Sequence, residues 1–273
     1  MQSDRSGGDR SGGDRTGGDR TGVDRSGVDG PGVDSTDLDR ADGDRTDGDR
    51  RPPVAPLNPV PWIIWALALP MLGIEVYLSA TEALGIAGTT GLRQSLWLKM
   101  AFFPEALRAA WAEGYLPPRD ALRLVSYPFV HGSLTHVVFV VVILLALGKF
   151  VGEVFRWGAV LAVFLAASVA GAVVSALVPF VTLAVFGGYA PVYGLIGAFT
   201  FVLWVGAKVT GANPARAFSM IGLLLGVQLI FGLAFGGGTD WVADLAGFAA
   251  GFAVSFAVNP AGWRKLVGWL RGR

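Results

Sequence analysis

Six apolar runs follow one another after residue 60, separated by short polar or glycine-rich connections. Each is close to the roughly 20 residues that a helix needs to cross a bilayer. Because a chain in lipid must satisfy its backbone polar groups internally, long apolar runs favour helices. The pattern predicts an all-α integral membrane protein, with a six-helix bundle over 61–260. The runs are Pro61–Thr81, Tyr127–Leu147, Trp157–Val178, Pro191–Ala207, Ala217–Phe235 and Trp241–Val258.

The orientation of the bundle is predicted from its basic residues. Lys149 and Arg156 lie between the second and third runs, and Lys208 and Arg216 between the fourth and fifth. The connections between the third and fourth runs and between the fifth and sixth runs carry no Lys or Arg, whereas the C-terminal tail 261–273 is basic. Since basic loops remain in the cytoplasm, both termini are predicted to be cytoplasmic. We expect six spans in a bacterial inner membrane.

The long connection between the first and second runs, 82–126, is amphipathic. Aromatic and aliphatic residues such as Trp97, Phe102 and Trp111 alternate with charged ones such as Arg93 and Arg108. The pattern suits a segment lying in the membrane interface. A small subdomain outside the membrane is the alternative, and the sequence leaves both open.

A polar tail precedes the apolar body. Residues 1–51 hold nine Arg and thirteen Asp, and an Asp recurs every five residues from Asp4 to Asp49. This period matches neither a helix nor a strand, and Gly, Ser and Asp bury too little apolar surface to fold, so the tail is predicted to be disordered. Calcium binding is the alternative, but an Arg beside most of the Asp residues opposes it. Residues 52–60 form a proline-rich linker.

Composition narrows the function classes. The chain is 52% hydrophobic with a mean hydropathy of +0.52, which is typical of a membrane protein, and it has no Cys. Disulfides and thiolate metal sites are therefore excluded. We expect no cofactor and no metal. We also expect no nucleic-acid partner, because the basic residues of the body lie between apolar spans.

Few polar groups interrupt the predicted spans, so each is a candidate for function. His131 and His136, the only two histidines, lie in the second run. Five residues apart on a helix, they would point about 140° apart and make poor joint metal ligands. Asp244 lies one turn into the sixth run, beside Gly247 and Gly251. This small-residue face predicts close contact with another helix, which Asp244 would also face.

A glycine-rich break precedes the fourth run, at 187–198. Pro191 suits the first turn of a helix, where its missing backbone donor costs nothing. Gly194 and Gly197 would allow another helix to approach closely. Tyr189 stands at the start of the run, where a tyrosine commonly acts as an interface anchor.

Three blocks in this order resemble motifs of the rhomboid family of intramembrane serine proteases. Residues 127–140 are similar to its second-span motif, His-x4-His-x3-Asn. Residues 188–195 are similar to its nucleophile motif, Gly-x-Ser-Gly-x-x-(Phe/Tyr)-Gly-Leu. Residues 243–251 are similar to its sixth-span motif, Ala-His-x-x-Gly-x-x-x-Gly. The resemblance implies the rhomboid fold over about 60–260 and serine-type endopeptidase activity.

The chain departs from these motifs at the residues that carry the chemistry. Tyr189 takes the position of the family's nucleophilic serine, and Asp244 that of its catalytic histidine. Val140 replaces the asparagine that helps to bind the oxyanion, whereas His136 matches the oxyanion-side histidine. Acyl transfer needs a hydroxyl or thiol beside a base. We therefore expect no ordinary proteolysis, and we expect the Tyr189 hydroxyl to donate a hydrogen bond to Asp244.

Two functions remain open at this point. In the first, the chain is a pseudoprotease that binds transmembrane segments of client proteins within the lipid bilayer. In the second, it is an active intramembrane serine endopeptidase. That enzyme would use Ser133, Thr135 or another hydroxyl with His131 or His136.

Overall fold

In a computed structural model of the chain, residues 59–86, 91–235 and 238–258 are described, and they are predominantly helical. The predicted tail 1–51 and the C-terminal tail 261–273 lie outside the described residues, as does the linker up to residue 58. Two 3₁₀ turns lie at Tyr127–Phe129 and Pro214–Phe218. The helices are α1 Trp62–Ala83, α2 Leu92–Met100, α3 Pro104–Glu113, α4 Pro118–Ser126, α5 Leu134–Val154, α6 Trp157–Leu177, α7 Tyr189–Thr210, α8 Ser219–Phe235 and α9 Asp240–Val258.

Five helices in the described part of the chain are long and apolar enough to cross a membrane: α1, α5, α6, α7 and α9. The predicted all-α membrane fold is therefore confirmed, whereas the count of six spans is not. The fifth apolar run begins as the turn Pro214–Phe218 and continues as α8, which has 17 residues. At about 1.5 Å per residue, α8 extends about 25 Å.

The second run begins as a helix later than its apolar pattern predicts. Val130 is extended, and α5 starts at Leu134 and not at Tyr127. Pro128 and Gly132 disfavour a continuous helix here. The side chain of Ser133 caps α5 by accepting the backbone N–H of His136 at 3.2 Å. His131 consequently lies outside the helix, so the predicted angle of 140° between the two histidines is wrong.

Helices α6, α7 and α9 form the tightest part of the bundle. A Cβ added at Gly251 would overlap the carbonyl oxygen of Gly194, and one added at Gly247 would overlap that of Ala190. A Cβ at Gly197 would overlap the backbone of Phe248. The predicted small-residue contact is confirmed, and it joins α7 to α9 backbone to backbone.

The connection 82–126 is a folded layer of three short helices. Its Phe102 pairs by a two-bond backbone bridge with Val185, which precedes α7. Arg108 donates hydrogen bonds to the carbonyls of Ala176, Val178 and Val181 at 2.7–2.9 Å, where α6 ends. Terminal helix carbonyls lack intrahelical donors, and a basic side chain satisfies them. Arg108 thus fastens the layer to the end of α6 and to the connection leading into α7.

The glycine contact gives a stability prediction. Gly251→Ala should lower the free energy of unfolding by about 1–3 kcal/mol, because the new methyl group must push α7 and α9 apart. Gly206→Ala on α7 is the matched control, since a Cβ there meets nothing within 4 Å. Thermal unfolding in detergent measures both variants. Equal midpoints for the two would contradict the packing argument.

Candidate functional site

Two histidines enclose the turn at Gly187 and Gly188 that leads into α7. The N–H of Gly188 donates to Nε2 of His131 at 3.3 Å. Gly187 has a φ of 92°, and a Cβ there would meet the ring of His136 at 2.6 Å. Position 187 therefore requires glycine for two reasons: its positive φ, and the imidazole that leaves no space for a Cβ. The two imidazole rings lie edge to face, with centroids 5.0 Å apart.

Val140 fills the space behind the same turn. A Cβ added at Gly188 would lie 2.6 Å from Cγ1 of Val140 and 3.3 Å from Cε of Met71. Val140 is fully buried in α5. An apolar side chain thus occupies the position at which the rhomboid motif has a hydrogen-bond donor, and it offers none to an oxyanion.

Tyr189, at the first residue of α7, lies flat against His136. The ring centroids are 5.0 Å apart and the ring planes differ by 18°. A phenol hydroxyl lies in the plane of its own ring, so parallel stacking does not direct it at an imidazole nitrogen. Among the described residues the Tyr189 hydroxyl has no hydrogen-bond partner, and Nε2 of His136 is buried without one.

The hydrogen-bond donor to Asp244 lies on α8, and not on α7 as predicted. Its side chain is buried on α9, 2% exposed, and Oδ2 accepts a 2.7 Å hydrogen bond from Nε2 of Gln228 on α8. The expected bond from Tyr189 does not form, because Tyr189 stacks on His136. Asp244 does face another helix, as its small neighbours predict, but that tie runs from α9 to α8.

The hydroxyls considered as alternative nucleophiles are not aligned with either imidazole. Ser133 and Thr135 are exposed, and Ser133 uses its oxygen to cap α5. Within the described ranges no serine or threonine hydroxyl is hydrogen-bonded to the imidazole ring of His131 or His136. A nucleophile–base pair of the kind that acyl transfer requires is therefore not assembled in this part of the chain.

An ion pair supports the histidine turn from the other side. Nη1 of Arg93 bonds the carboxylate of Glu75 at 2.8 Å and the backbone carbonyl of His131 at 3.3 Å. Trp97 donates its indole N–H to the same carbonyl at 3.1 Å. Glu75 on α1 is completely buried. Hydrogen bonding to Glu82, and more weakly to Glu75, raises the pKa of Arg93 above its ordinary value, so the guanidinium stays charged.

A model of the Rhomboid domain matches residues 118–261, more than half of the chain. The chain belongs to the rhomboid family. No curated protein matches the sequence at a significant level. The match extends from the start of α4 past the end of α9, so it includes the histidine turn, the start of α7 and Asp244. Helices α1 to α3 lie before it.

The residues that the motif resemblance places at the rhomboid site make other contacts in this structure. Tyr189 is a stacked phenol, Asp244 is a carboxylate bonded to an amide, and Val140 is a packed valine. His136 retains its place beside the turn. In the described part of the chain no group of three or more His, Cys, Asp or Glu side chains is arranged to hold a metal ion.

Sequence reasoning missed two partners of this site, Gln228 and Glu75. Each lies inside an apolar run and could have been found by the rule that singled out Asp244, because a polar side chain at membrane depth needs a partner. Gln228 is the only amide in α8, and Glu75 is an acid in the middle of α1.

The Arg93 contacts predict a large loss of stability. Arg93→Met should cost about 3–5 kcal/mol of unfolding free energy, because the buried Glu75 loses its countercharge. Arg119→Met is the control, since Arg119 is exposed and donates only to the carbonyl of Leu98. Adding Glu75→Gln to Arg93→Met should restore part of the loss. Equal unfolding midpoints for the two single variants would exclude this role for Arg93.

The tie between α8 and α9 predicts a specific coupling. A double-mutant cycle with Gln228→Met and Asp244→Ala should give an interaction energy of about 0.5–3 kcal/mol. The same cycle with Tyr189→Phe and Asp244→Ala should be additive within about 0.5 kcal/mol. Unfolding in detergent measures both cycles. Strong coupling in the tyrosine cycle alone would mean that Tyr189, and not Gln228, is the partner of Asp244.

Proposed function

We propose that this rhomboid chain is a pseudoprotease that binds transmembrane segments of other membrane proteins. The observation that carries the proposal is the stacking of Tyr189 on His136, with ring centroids 5.0 Å apart. By its motif position the phenol takes the place of the nucleophile, and its ring covers one face of the His136 imidazole. No proton acceptor is aligned with its hydroxyl in the described residues.

The other two substitutions support the same conclusion. Asp244 cannot act as the family's imidazole does, and its Oδ2 is already bonded by Gln228. Val140 packs where an oxyanion donor would be needed. Loss of one oxyanion donor alone costs about 2.7–4 kcal/mol of transition-state stabilisation. With nucleophile, base and donor all replaced, binding is the function left to the fold.

The helices that remain can bind apolar segments laterally. A groove of about 450 Å³ lies between α6 and α9, lined by apolar side chains that include Val174, Phe180, Trp241 and Leu245. Helix α8 also exposes large apolar side chains. In lipid such surfaces pack against other helices through van der Waals contacts.

A fluorophosphonate probe tests the loss of proteolysis. We expect no labelling of the purified protein in vesicles, because no hydroxyl is activated by a base. An active rhomboid protease in the same vesicles serves as the positive control. Labelling of the wild-type chain would overturn the proposal, and loss of that label in Ser133→Ala would identify the nucleophile.

Binding is tested separately with fluorescent apolar helical peptides in the same vesicles. Energy transfer from labelled peptide to labelled protein should saturate with peptide concentration and fall when unlabelled peptide is added. An unrelated polytopic membrane protein, labelled in the same way, is the control for random encounters. Transfer equal to that control would exclude lateral binding.

A further inference from the structure

Asp244 is a buried carboxylate with no countercharge in the described part of the chain. It is 2% exposed, and its one hydrogen bond comes from the neutral amide of Gln228. A buried charge without an opposite charge is costly, and it is more so in a membrane helix. Oδ1 of Asp244 accepts no hydrogen bond from a described residue.

The amide of Gln228 leaves a second acceptor unsatisfied at the same place. While Nε2 donates to Asp244, Oε1 is buried and has no hydrogen-bond donor within the described ranges. The unsatisfied amide oxygen thus belongs to the same side chain that bonds the Asp244 carboxylate, which itself has no countercharge among the described residues. One group that carries several N–H donors and a positive charge would satisfy both.

Asp240, the first residue of α9, adds a second carboxylate near Asp244. It lies four residues before Asp244 on the same face of the helix, and it is exposed. A cationic side chain entering from that end would meet Asp240 first and Asp244 one turn later.

Helix α8 offers a surface on which a partner helix could lie. Leu223, Val227 and Ile230 are exposed large apolar residues on it. Gln228 is half-buried on the same helix, between this surface and Asp244. A side chain from a helix beside α8 therefore has to reach past one amide to meet the carboxylate.

We propose that Asp244 and Gln228 form the recognition site for a Lys or Arg side chain within a partner's transmembrane segment. This inference rests on the proposed binding function and names its specificity. The basic side chain would pair with Asp244 and donate to Oε1 of Gln228. Each partner thereby neutralises a charge that is costly to bury alone.

The experiment uses the full chain in vesicles with matched apolar helical peptides. One peptide carries Lys about one turn inside its apolar segment, a second carries acetyl-lysine there, and a third carries Met. The Lys peptide should bind about tenfold or more tightly than the acetyl-lysine and Met peptides, because only it brings the charge. Energy transfer between labelled peptide and protein gives the dissociation constants.

Variants of the protein show which residue is responsible for the preference for the Lys peptide. In Asp244→Asn, whose unfolding midpoint is measured in parallel, the preference for Lys should disappear while the Met peptide binds as before. Asp240→Asn should retain most of the preference. An undiminished preference in Asp244→Asn would place the site elsewhere and overturn the assignment.

The remaining outcomes separate this inference from the proposed function. Equal affinities for all three peptides would overturn the recognition of basic residues but leave lateral binding standing. Binding of none would overturn both. A protonated carboxyl band in the infrared spectrum at neutral pH, lost in Asp244→Asn, would also overturn the inference, since a neutral Asp244 needs no cation.

Discussion

Backbone contact between α7 and α9 is the constraint on which the rest of the structure depends. At Gly197, Gly247 and Gly251 the two helices meet with no room for a side chain. The hydrophobic effect does not drive helices together in lipid, so their association depends on the van der Waals attraction that such close contact provides. The same contact sets the start of α7, with Tyr189, near the first turns of α9, with Asp244.

Around that contact lie the residues that the motif resemblance places at the rhomboid site. Each of them has a packing partner: Tyr189 has His136, Asp244 has Gln228 and Val140 has the Gly188 turn. These partners satisfy or bury the new side chains, so the site is coherent as a structural element. A buried polar network that is satisfied rigidifies the fold, whereas an unsatisfied one is costly. Among the described residues Nδ1 of His131, Nε2 of His136 and Oε1 of Gln228 are buried without a partner, and Oε1 of Gln228 marks the point at which we propose a further partner.

Much of the site could be predicted from local sequence, and its pairings could not. Resemblance to the rhomboid motifs identified Tyr189, His136, Val140 and Asp244 as the positions of interest, since a motif can be read from the order of residues in the chain. The partner of Asp244 depended on which helix comes near α9 and on the rotation of that helix. The histidine geometry depended on where α5 begins, which a Ser133 cap decides against the apolar pattern.

The membrane class, the apolar runs and the glycine faces could be read from the sequence, because hydropathy and residue size are properties of the individual residues. Tertiary structure was needed to show that His131 lies outside α5 and that Gln228 bonds Asp244. These facts depend on hydrogen bonds and contacts between residues distant in sequence or at helix ends. Apolar periodicity does not encode them, because it reports which face is buried and not what that face meets.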